Sequence, residues 1–181
     1  MYFYASQDVQ DLLNGICGGT RVAINLYSNN KELLESTASD LERNFLPDVI
    51  SLDISNYDSF EVFIQDLLMQ LLLREDKPTD CRVEDTAIEE MNIRLLRRHI
   101  GRLLNSFSRQ NSWICLILKN FDFAEKYWDD SACAWIRELV DSSRIPACIV
   151  LSTKPISEIS EKPIGSSPLY NIFRTYAIGE G

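Results

Sequence analysis

The stretch from Val22 to Leu34 constrains the fold of this chain more than any other. Residues 22–26 are almost all apolar, which is typical of a strand covered on both faces in a parallel sheet. A polar turn of serine and asparagine follows at residues 28–30, and from Lys31 onward leucine and alanine recur at the spacing of an amphipathic helix. Because parallel strands need long crossover connections, a strand that leads directly into a helix predicts an α/β fold.

The same alternation of strands and helices continues along the chain. We predict four further strands, at about residues 49–53, 113–118, 147–151 and 174–178. We predict helices at about residues 6–17, 31–44, 58–72, 86–108 and 129–141, with Asp58 and Thr86 as caps. This pattern predicts a three-layer αβα sandwich with a mainly parallel, five-stranded sheet. No internal repeat or interior linker is visible, so residues 1–181 are expected to form a single domain.

The formal net charge of −9 disfavours a general nucleic-acid binder, because such proteins present an excess of positive charge. The five cysteines are scattered and there is a single histidine, so no metal site is predicted. Scattered thiols favour a reducing compartment, and the N-terminus lacks the features of a secretory signal. No window approaches the roughly 18 apolar residues of a membrane span. We therefore expect a cytoplasmic protein that binds another protein, with nucleic acid a disfavoured partner and no membrane contact.

The turn after the first strand has the spacing of a phosphate-binding loop. In an open parallel sheet, ligands bind at the carboxyl ends of the strands. The loop is written GxxxxGK[ST]: the glycines allow close approach of the phosphate, the lysine neutralises charge and the hydroxyl binds Mg²⁺. At that spacing this chain has Asn25, Asn30, Lys31 and Glu32. The lysine is present, whereas both glycines and the hydroxyl group are replaced.

Two further groups of polar residues follow predicted strands, namely Lys119, Asn120 and Asp122 after the third strand and Ser152, Thr153 and Lys154 after the fourth. Together with the turn at Lys31, this layout resembles the core of a P-loop ATPase of the AAA+/STAND kind. Residues 113–125 resemble its acidic strand, residues 151–154 resemble its sensor 1 strand, and residues 167–174 look like the run into its fifth strand. The resemblance implies the sheet order 5-1-4-3-2.

Departures from the motifs of that family determine the functional expectation. Where the family has an aspartate for Mg²⁺ and a glutamate that activates water, this chain has Lys119 and Asn120, which can perform neither role. Glu32 would place a carboxylate against the phosphate oxygens. The chain also stops at its fifth strand, where the family continues into a lid domain. These features predict a pseudo-ATPase without catalytic residues, cofactor or metal, which is either a minimal protein or the N-terminal part of a larger one.

The resemblance implies a protein-interaction or regulatory module, similar to the inactive STAND modules of bacterial defence and signalling systems. One alternative is a switch that binds ATP or ADP through Lys31 without hydrolysing it, although a lysine at this place is more often an exposed residue of a first helical turn. Ser152–Lys154 could likewise bind an anion or be ordinary residues at the end of a strand. The oligomeric state is left open.

Four arginines of the predicted helix at 86–108 suggest a second alternative, a nucleic-acid-associated module. Arg94, Arg98 and Arg102 recur every four residues on one helix face, and Arg97 lies beside them. They could dock an acidic protein or a nucleic acid. They could equally form a solvated face that pairs with acids of the same helix, as Glu90 would pair with Arg94.

Overall fold

A computed structural model describes residues 11, 14–15, 22–45, 49–74, 88–110, 112, 114–142, 145–159, 169 and 172–179. The predicted cap at Thr86 and most of the predicted helix at 6–17 lie outside these residues. The described part of the chain alternates strands and helices, as the apolar pattern of the sequence requires.

Five parallel strands form the central sheet of the described residues. They are β1 (Val22–Tyr27), β2 (Val49–Asp53), β3 (Cys115–Lys119), β4 (Ala147–Ser152) and β5 (Arg174–Ala177). Their order is β2-β3-β4-β1-β5, which is the predicted order 5-1-4-3-2 read from the opposite edge. The central strand β4 is buried over its whole length, as expected for a strand covered on both faces. The predicted α/β fold is confirmed.

Helices cover both faces of this sheet and complete the three layers. They are α1 (Lys31–Phe45), α2 (Phe60–Leu73), α3 (Ile93–Arg109), α4 (Ala124–Tyr127), α5 (Asp130–Asp141) and α6 (Ile156–Ile159). On one face, α1 packs Leu34, Ala38 and Leu41 against the sheet. The other face carries the larger core, to which α2, α3 and α5 contribute. Successive residues of a strand point to opposite faces, so Leu116 joins the larger core and Ile117 the smaller one.

The helix α2 begins one residue later than predicted and packs an aromatic end into the larger core. The Oγ of Ser59 accepts a hydrogen bond from a first-turn N–H group, so that Ser59 caps this helix in place of the predicted Asp58. The ring of Phe60 then contacts Trp128 and Trp135, with centroids 5.1 and 5.8 Å away. These contacts join α2 to α5 on the face of the sheet opposite α1.

The predicted helix at 86–108 is interrupted, which is a correction to the sequence analysis. Ile88 is helical, a turn follows at residues 89–90, and α3 begins only after Asn92. The Oδ1 of Asn92 accepts hydrogen bonds from the N–H groups of Arg94 and Leu95, both at 3.1 Å. Asparagine is among the best N-cap residues because its side chain binds these otherwise unpaired N–H groups. Glu90 therefore lies outside the helix that carries Arg94.

Candidate functional site

The carboxyl ends of the strands meet along one edge of the sheet, because every strand pair is parallel. Asp53 ends β2, Lys119 ends β3 and Ser152 ends β4, while the turn after β1 leads into α1 at Lys31. Side chains that are distant in sequence come together there, and this edge contains the candidate site.

The turn between β1 and α1 has only three residues, Ser28 to Asn30. The N–H of Ser28 donates to the carbonyl oxygen of Ser152 at 3.1 Å, and the N–H of Asn30 donates to the Oγ of Ser28 at 3.2 Å. The Oδ1 of Asn30 accepts the N–H of Leu33 at 3.2 Å and so caps α1. A phosphate-binding loop uses such N–H groups to hold its anion. Three of the N–H groups in this turn and the first turn of α1, those of Ser28, Asn30 and Leu33, are therefore already bonded within the protein.

Asn25 lies within β1 and not in a loop, which corrects the loop boundary expected from the motif spacing. Its side chain is fully buried. The Nδ2 group donates to the Oγ of Ser152 at 2.7 Å and to the carbonyl oxygen of Val150 at 3.4 Å. The Oδ1 atom accepts the N–H of Ile156 at 2.9 Å. Because both polar atoms of the amide have protein partners, Asn25 joins β1 to the end of β4 and is closed to a ligand.

Lys31 and Glu32 form the exposed first turn of α1. Within the part of the chain that the structure describes, neither side chain makes a hydrogen bond or an ion pair. Lys31 lines a cleft at the edge of the sheet, and the acid of α1 that lines it is Glu35. The carboxylate that would repel a phosphate in the cleft is thus that of Glu35, one helical turn after Glu32, and not that of Glu32 itself.

Asp53 and Asn120 form a closed pair at the ends of β2 and β3. The Nδ2 of Asn120 donates to both carboxylate oxygens of Asp53 at 3.0 Å, and the N–H and Oγ of Ser55 donate to the same carboxylate. Burial favours the neutral form of this group, but hydrogen bonds from Ser55 and Asn120 outweigh burial, so the pKa of Asp53 lies below its usual value. Asn120 has a left-handed backbone with φ of 52° and precedes the 3₁₀ turn Phe121–Phe123.

Lys119 is paired with an acid that the sequence analysis missed. Its Nζ lies 3.1 Å from the Oε1 of Glu42 on α1, and Glu42 also accepts a hydrogen bond from the hydroxyl of Ser51. Burial favours the neutral carboxyl group, but hydrogen bonds from Ser51 and Lys119 outweigh it, so the pKa of Glu42 lies below its usual value. The sequence does not identify Glu42 as the partner of Lys119. Glu42 comes directly after an apolar residue of α1, as solvated acids of amphipathic helices often do.

The residues at the end of β4 bond to the segment after β3. Asp122 accepts the N–H and the Oγ1 of Thr153 at 2.8 and 2.9 Å. The Nζ of Lys154 lies 3.1 Å from the Oε2 of Glu125, and the Oγ of Ser152 donates to the carbonyl oxygen of Lys154 at 2.7 Å. The structure thus brings the sensor-like residues together with Asp122. Each of these side chains has a partner within the protein.

A cleft of about 280 Å³ opens between α1 and the ends of β2, β3 and β4. It is lined by the polar residues Lys31, Glu35, Ser39, Asp53, Lys119 and Asn120 and by the apolar residues Leu34, Ala38 and Leu151. Ligand pockets for drug-sized molecules span roughly 300–1,000 Å³, so this cleft suits a small polar group or one end of a larger ligand.

The donor set of this edge does not fit a Mg²⁺ ion held in the manner of an ATPase motif. The position of the metal-binding aspartate is Lys119, whose ammonium group is paired with Glu42. Among the described residues, no group of three or more His, Cys, Asp or Glu side chains could hold a metal ion.

The arginines of α3 lie on the face of the sheet opposite α1 and the cleft. Arg94, Arg98 and Arg102 are exposed. Arg97 is half-buried instead: its guanidinium lies 5.3 Å from the ring of Phe60 and 5.6 Å from that of Trp135. Of the four arginines in the predicted interaction patch, Arg97 is thus the one that, within the described residues, has contacts with α2 and α5. None of the described helices is both long and apolar enough to cross a membrane.

The solved structures that share this fold include the following three. One is the Walker-type ATPase PABY2304 of Pyrococcus abyssi, with a TM-score of 0.62 and 12% identity, matched over 98% of this chain and 53% of that one. Another is ORC1 of Aeropyrum pernix in complex with DNA, with a TM-score of 0.56 and 12% identity over 97% and 46% of the chains. ORC2 of the same organism, solved as ADPNP-ADP complexes, has a TM-score of 0.52 and 10% identity over 93% and 45%. No protein-family model and no curated protein sequence matches this chain.

These similarities confirm the P-loop ATPase-like fold and correct one functional expectation. This chain spans about half the length of each of the three structures, and identities of 10–12% show a shared fold alone. The prediction that the chain is not an enzyme is contradicted, because the scaffold that it treated as inactive is the scaffold of a Walker-type ATPase. The replaced motif residues are no evidence of inactivity, and we withdraw that prediction.

Proposed function

We propose that this chain is a nucleotide-binding regulatory domain of the ATPase type, whose cleft receives the phosphate groups of a nucleoside di- or triphosphate. The observation that carries the proposal is Lys31, an exposed cation in the first turn of α1 that lines the cleft and has no ionic partner within the described residues. The N-terminus of a helix carries a partial positive charge, which adds to the attraction of Lys31 for an anion.

A second lysine lines the same cleft. Lys119 uses one of its three donor protons for Glu42, and its side chain is 32% exposed. We propose that the side chains of Lys31 and Lys119 contact the phosphates, in place of the glycine-rich backbone of a typical phosphate loop. The volume of about 280 Å³ suits the phosphate end of a nucleotide, with the nucleoside outside the cleft.

The ATPase-type fold supports a nucleotide as the ligand to test first, since ORC2 of Aeropyrum pernix, which shares it, was solved as ADPNP-ADP complexes. We also propose that residues 1–181 act as a single AAA+/STAND-type domain of a larger protein or assembly. The lengths of the similar structures support this, because each is about twice as long as this chain. Occupancy of the cleft would then be sensed by α1 and β3, which the Lys119–Glu42 pair connects.

Titration calorimetry with ATP and with ADP, each with and without Mg²⁺, tests the proposal. Lys31→Ala should weaken binding by at least about tenfold, because a hydrogen bond to a charged group contributes about 1.5–3 kcal/mol. Lys126→Ala is the matched control, since Lys126 is an exposed lysine that does not line the cleft. The affinity of this variant for ATP and ADP should stay within about twofold of the wild-type value.

A third variant uses the acid in the cleft. Glu35→Gln should strengthen nucleotide binding several-fold, because it removes a negative charge that would repel a phosphate. The proposal fails if the wild-type chain binds neither nucleotide at millimolar concentration. It fails equally if Lys31→Ala and Lys126→Ala have the same affinity as the wild type.

A further inference from the structure

The helix α3 has a charge pattern opposite to that of the whole chain. Its 17 residues include five arginines and no aspartate or glutamate, whereas the formal net charge of the chain is −9. A solvated helix of an acidic protein usually carries acids among its bases, since i, i+4 pairs of opposite charge stabilise it. The absence of acids from α3 therefore needs an explanation other than helix stability.

Four of these arginines form one continuous surface, which we call the arginine stripe: Arg94, Arg98, Arg102 and Arg109. All four are exposed. At 100° per residue they fall within an arc of about 80°, and at 1.5 Å per residue they extend over roughly 22 Å. Cations that a fold needs for itself would be dispersed or paired. These lie in a row on the outside of the molecule.

The arginine stripe has no ionic partner in the described part of the chain. None of its four guanidinium groups makes a hydrogen bond or an ion pair there. The expected pair of Arg94 with Glu90 is not formed, because Asn92 starts the helix after Glu90. Arg97, in contrast, stacks on two aromatic rings and donates to Ser131.

We propose that the arginine stripe docks an acidic polypeptide segment, with the segment lying along α3. The complementarity is one of charge and of spacing: Arg94, Arg98 and Arg102 follow one another at i, i+4 with a rise of about 6 Å each, which matches carboxylates at i, i+4 on a partner helix. Arginine also suits carboxylates because its planar guanidinium can bind them through two parallel hydrogen bonds.

Two observations favour a polypeptide over a nucleic acid. A DNA duplex presents roughly 13 phosphate charges over ~22 Å, far more than four guanidinium groups neutralise, and the rest of this acidic chain would repel the excess. Leu95, which borders the arginine stripe on the helix surface, is 37% exposed. An apolar side chain at that place can be covered by apolar side chains of another polypeptide, whereas a phosphate backbone has no apolar groups to cover it.

Fluorescence anisotropy on the full chain tests the proposal. The probe is a labelled, alanine-based, 16-residue helical peptide with four glutamates at i, i+4 spacing, and its partner probe has glutamines in their place. Arg94→Gln, Arg98→Gln and Arg102→Gln combined should weaken glutamate-peptide binding about 5- to 13-fold, which corresponds to three pairs of ~0.3–0.5 kcal/mol each. The matched control combines Arg43→Gln, Lys126→Gln and Arg137→Gln, which lowers the charge equally away from the stripe and should change affinity by less than about twofold.

Each result decides the question. Glutamate-peptide binding that is lost only in the stripe variant supports the proposal, and Lys31→Ala should bind this peptide like the wild type, because the stripe lies on the other face of the sheet. The proposal is overturned if the glutamate peptide does not bind, if both triple variants lose affinity equally, or if the glutamine peptide binds as well. It is also overturned if a 16-base-pair duplex or a 16-nucleotide single strand binds more tightly than the peptide at the same salt concentration.

Discussion

The two halves of the strand-end edge differ in how they satisfy polar groups. The half formed by β1 and β4 is closed by neutral groups around Asn25, which is fully buried. The half formed by β2 and β3 contains charged groups, and its pair of Lys119 with Glu42 remains about one-third exposed. A ligand that replaced the buried hydrogen bonds of neutral groups would leave polar groups unpaired, which costs free energy. A partly exposed ion pair contributes little to stability, so a ligand can displace it at small cost. The buried contacts of the first half therefore hold the fold together, whereas in the second half partly exposed charges line the cleft together with Lys31 of α1.

The largest effect should come from the buried half. Asn25→Ala leaves the Oγ of Ser152 and the N–H of Ile156 without their partner, and we expect unfolding free energy to fall by about 3 kcal/mol. Urea denaturation at neutral pH measures it. Asn29→Ala, in the exposed turn beside it, should change stability by less than about 0.5 kcal/mol. Equal losses in the two variants would remove the distinction between the halves.

The next effect concerns the left-handed residue of the open half. Asn120→Ala loses two hydrogen bonds to Asp53 and forces an alanine to adopt φ near 52°, so we expect a loss of about 2 kcal/mol. Asn120→Gly loses the bonds but accepts the backbone angle, and should lose about 1 kcal/mol. The same urea experiment separates backbone strain from side-chain bonding. A glycine variant as unstable as the alanine variant would contradict the assigned strain.

The open half should also be the more sensitive to acid. The pKa values of Glu42 and Asp53 are lowered from 4.5 and 3.8, so the folded state binds fewer protons than the unfolded state. The two carboxylates contribute fully to the free energy of unfolding above the pKa values that they have in the unfolded chain. This contribution is lost as the pH falls through their lower pKa values in the folded chain. Glu42→Gln should therefore flatten the decline of stability below pH 4.5. Glu61→Gln, at an exposed acid of α2, should leave that decline unchanged, as urea midpoints from pH 7 to 3 would show.

The smallest effect on stability should belong to Lys31. A lysine in the first turn opposes the helix dipole, so Lys31→Ala should leave the unfolding free energy unchanged or raise it by about 0.3 kcal/mol. The same variant is expected to lose nucleotide affinity, which sets it apart from every residue of the buried half. A loss of more than about 1 kcal/mol in thermal or urea unfolding would mean that Lys31 has a structural partner.

The elements of the fold could be predicted because their apolar patterns are strong. β4 is an unbroken apolar run, and α1 and α2 keep helical spacing over several turns, so burial on the expected side follows from sequence alone. The start of α3 could not be predicted, since Asn92 caps it within a stretch whose apolar residues keep helical spacing on both sides. A helical wheel could have separated Arg97 from the other arginines, because it lies about 60° nearer the apolar side than Arg94.

The contacts of the candidate site could not be predicted in the same way. The motif spacing predicts that Asn25 is a loop residue, whereas it lies in β1 and accepts a hydrogen bond from Ile156. These two residues are 131 positions apart, and no sequence periodicity predicts a hydrogen bond over that separation. The pairs of Asp53 with Asn120 and of Glu42 with Lys119 likewise join elements that only the sheet brings together. Sequence therefore identified the edge of the sheet where the site lies, while the choice of partners depended on tertiary structure.

The position of β1 in the sheet has a consequence for how the chain is made. β1 is the first of the described strands along the sequence, yet among them it pairs only with β4 and β5, the last two. Asn25 pairs in register with Val150, 125 residues later, so at about 5–20 residues per second a ribosome needs roughly 6–25 s to supply the partner. During that interval β1 exposes an apolar edge on the nascent chain. This early strand is where we expect a chaperone to bind during synthesis, and where slow translation would favour aggregation.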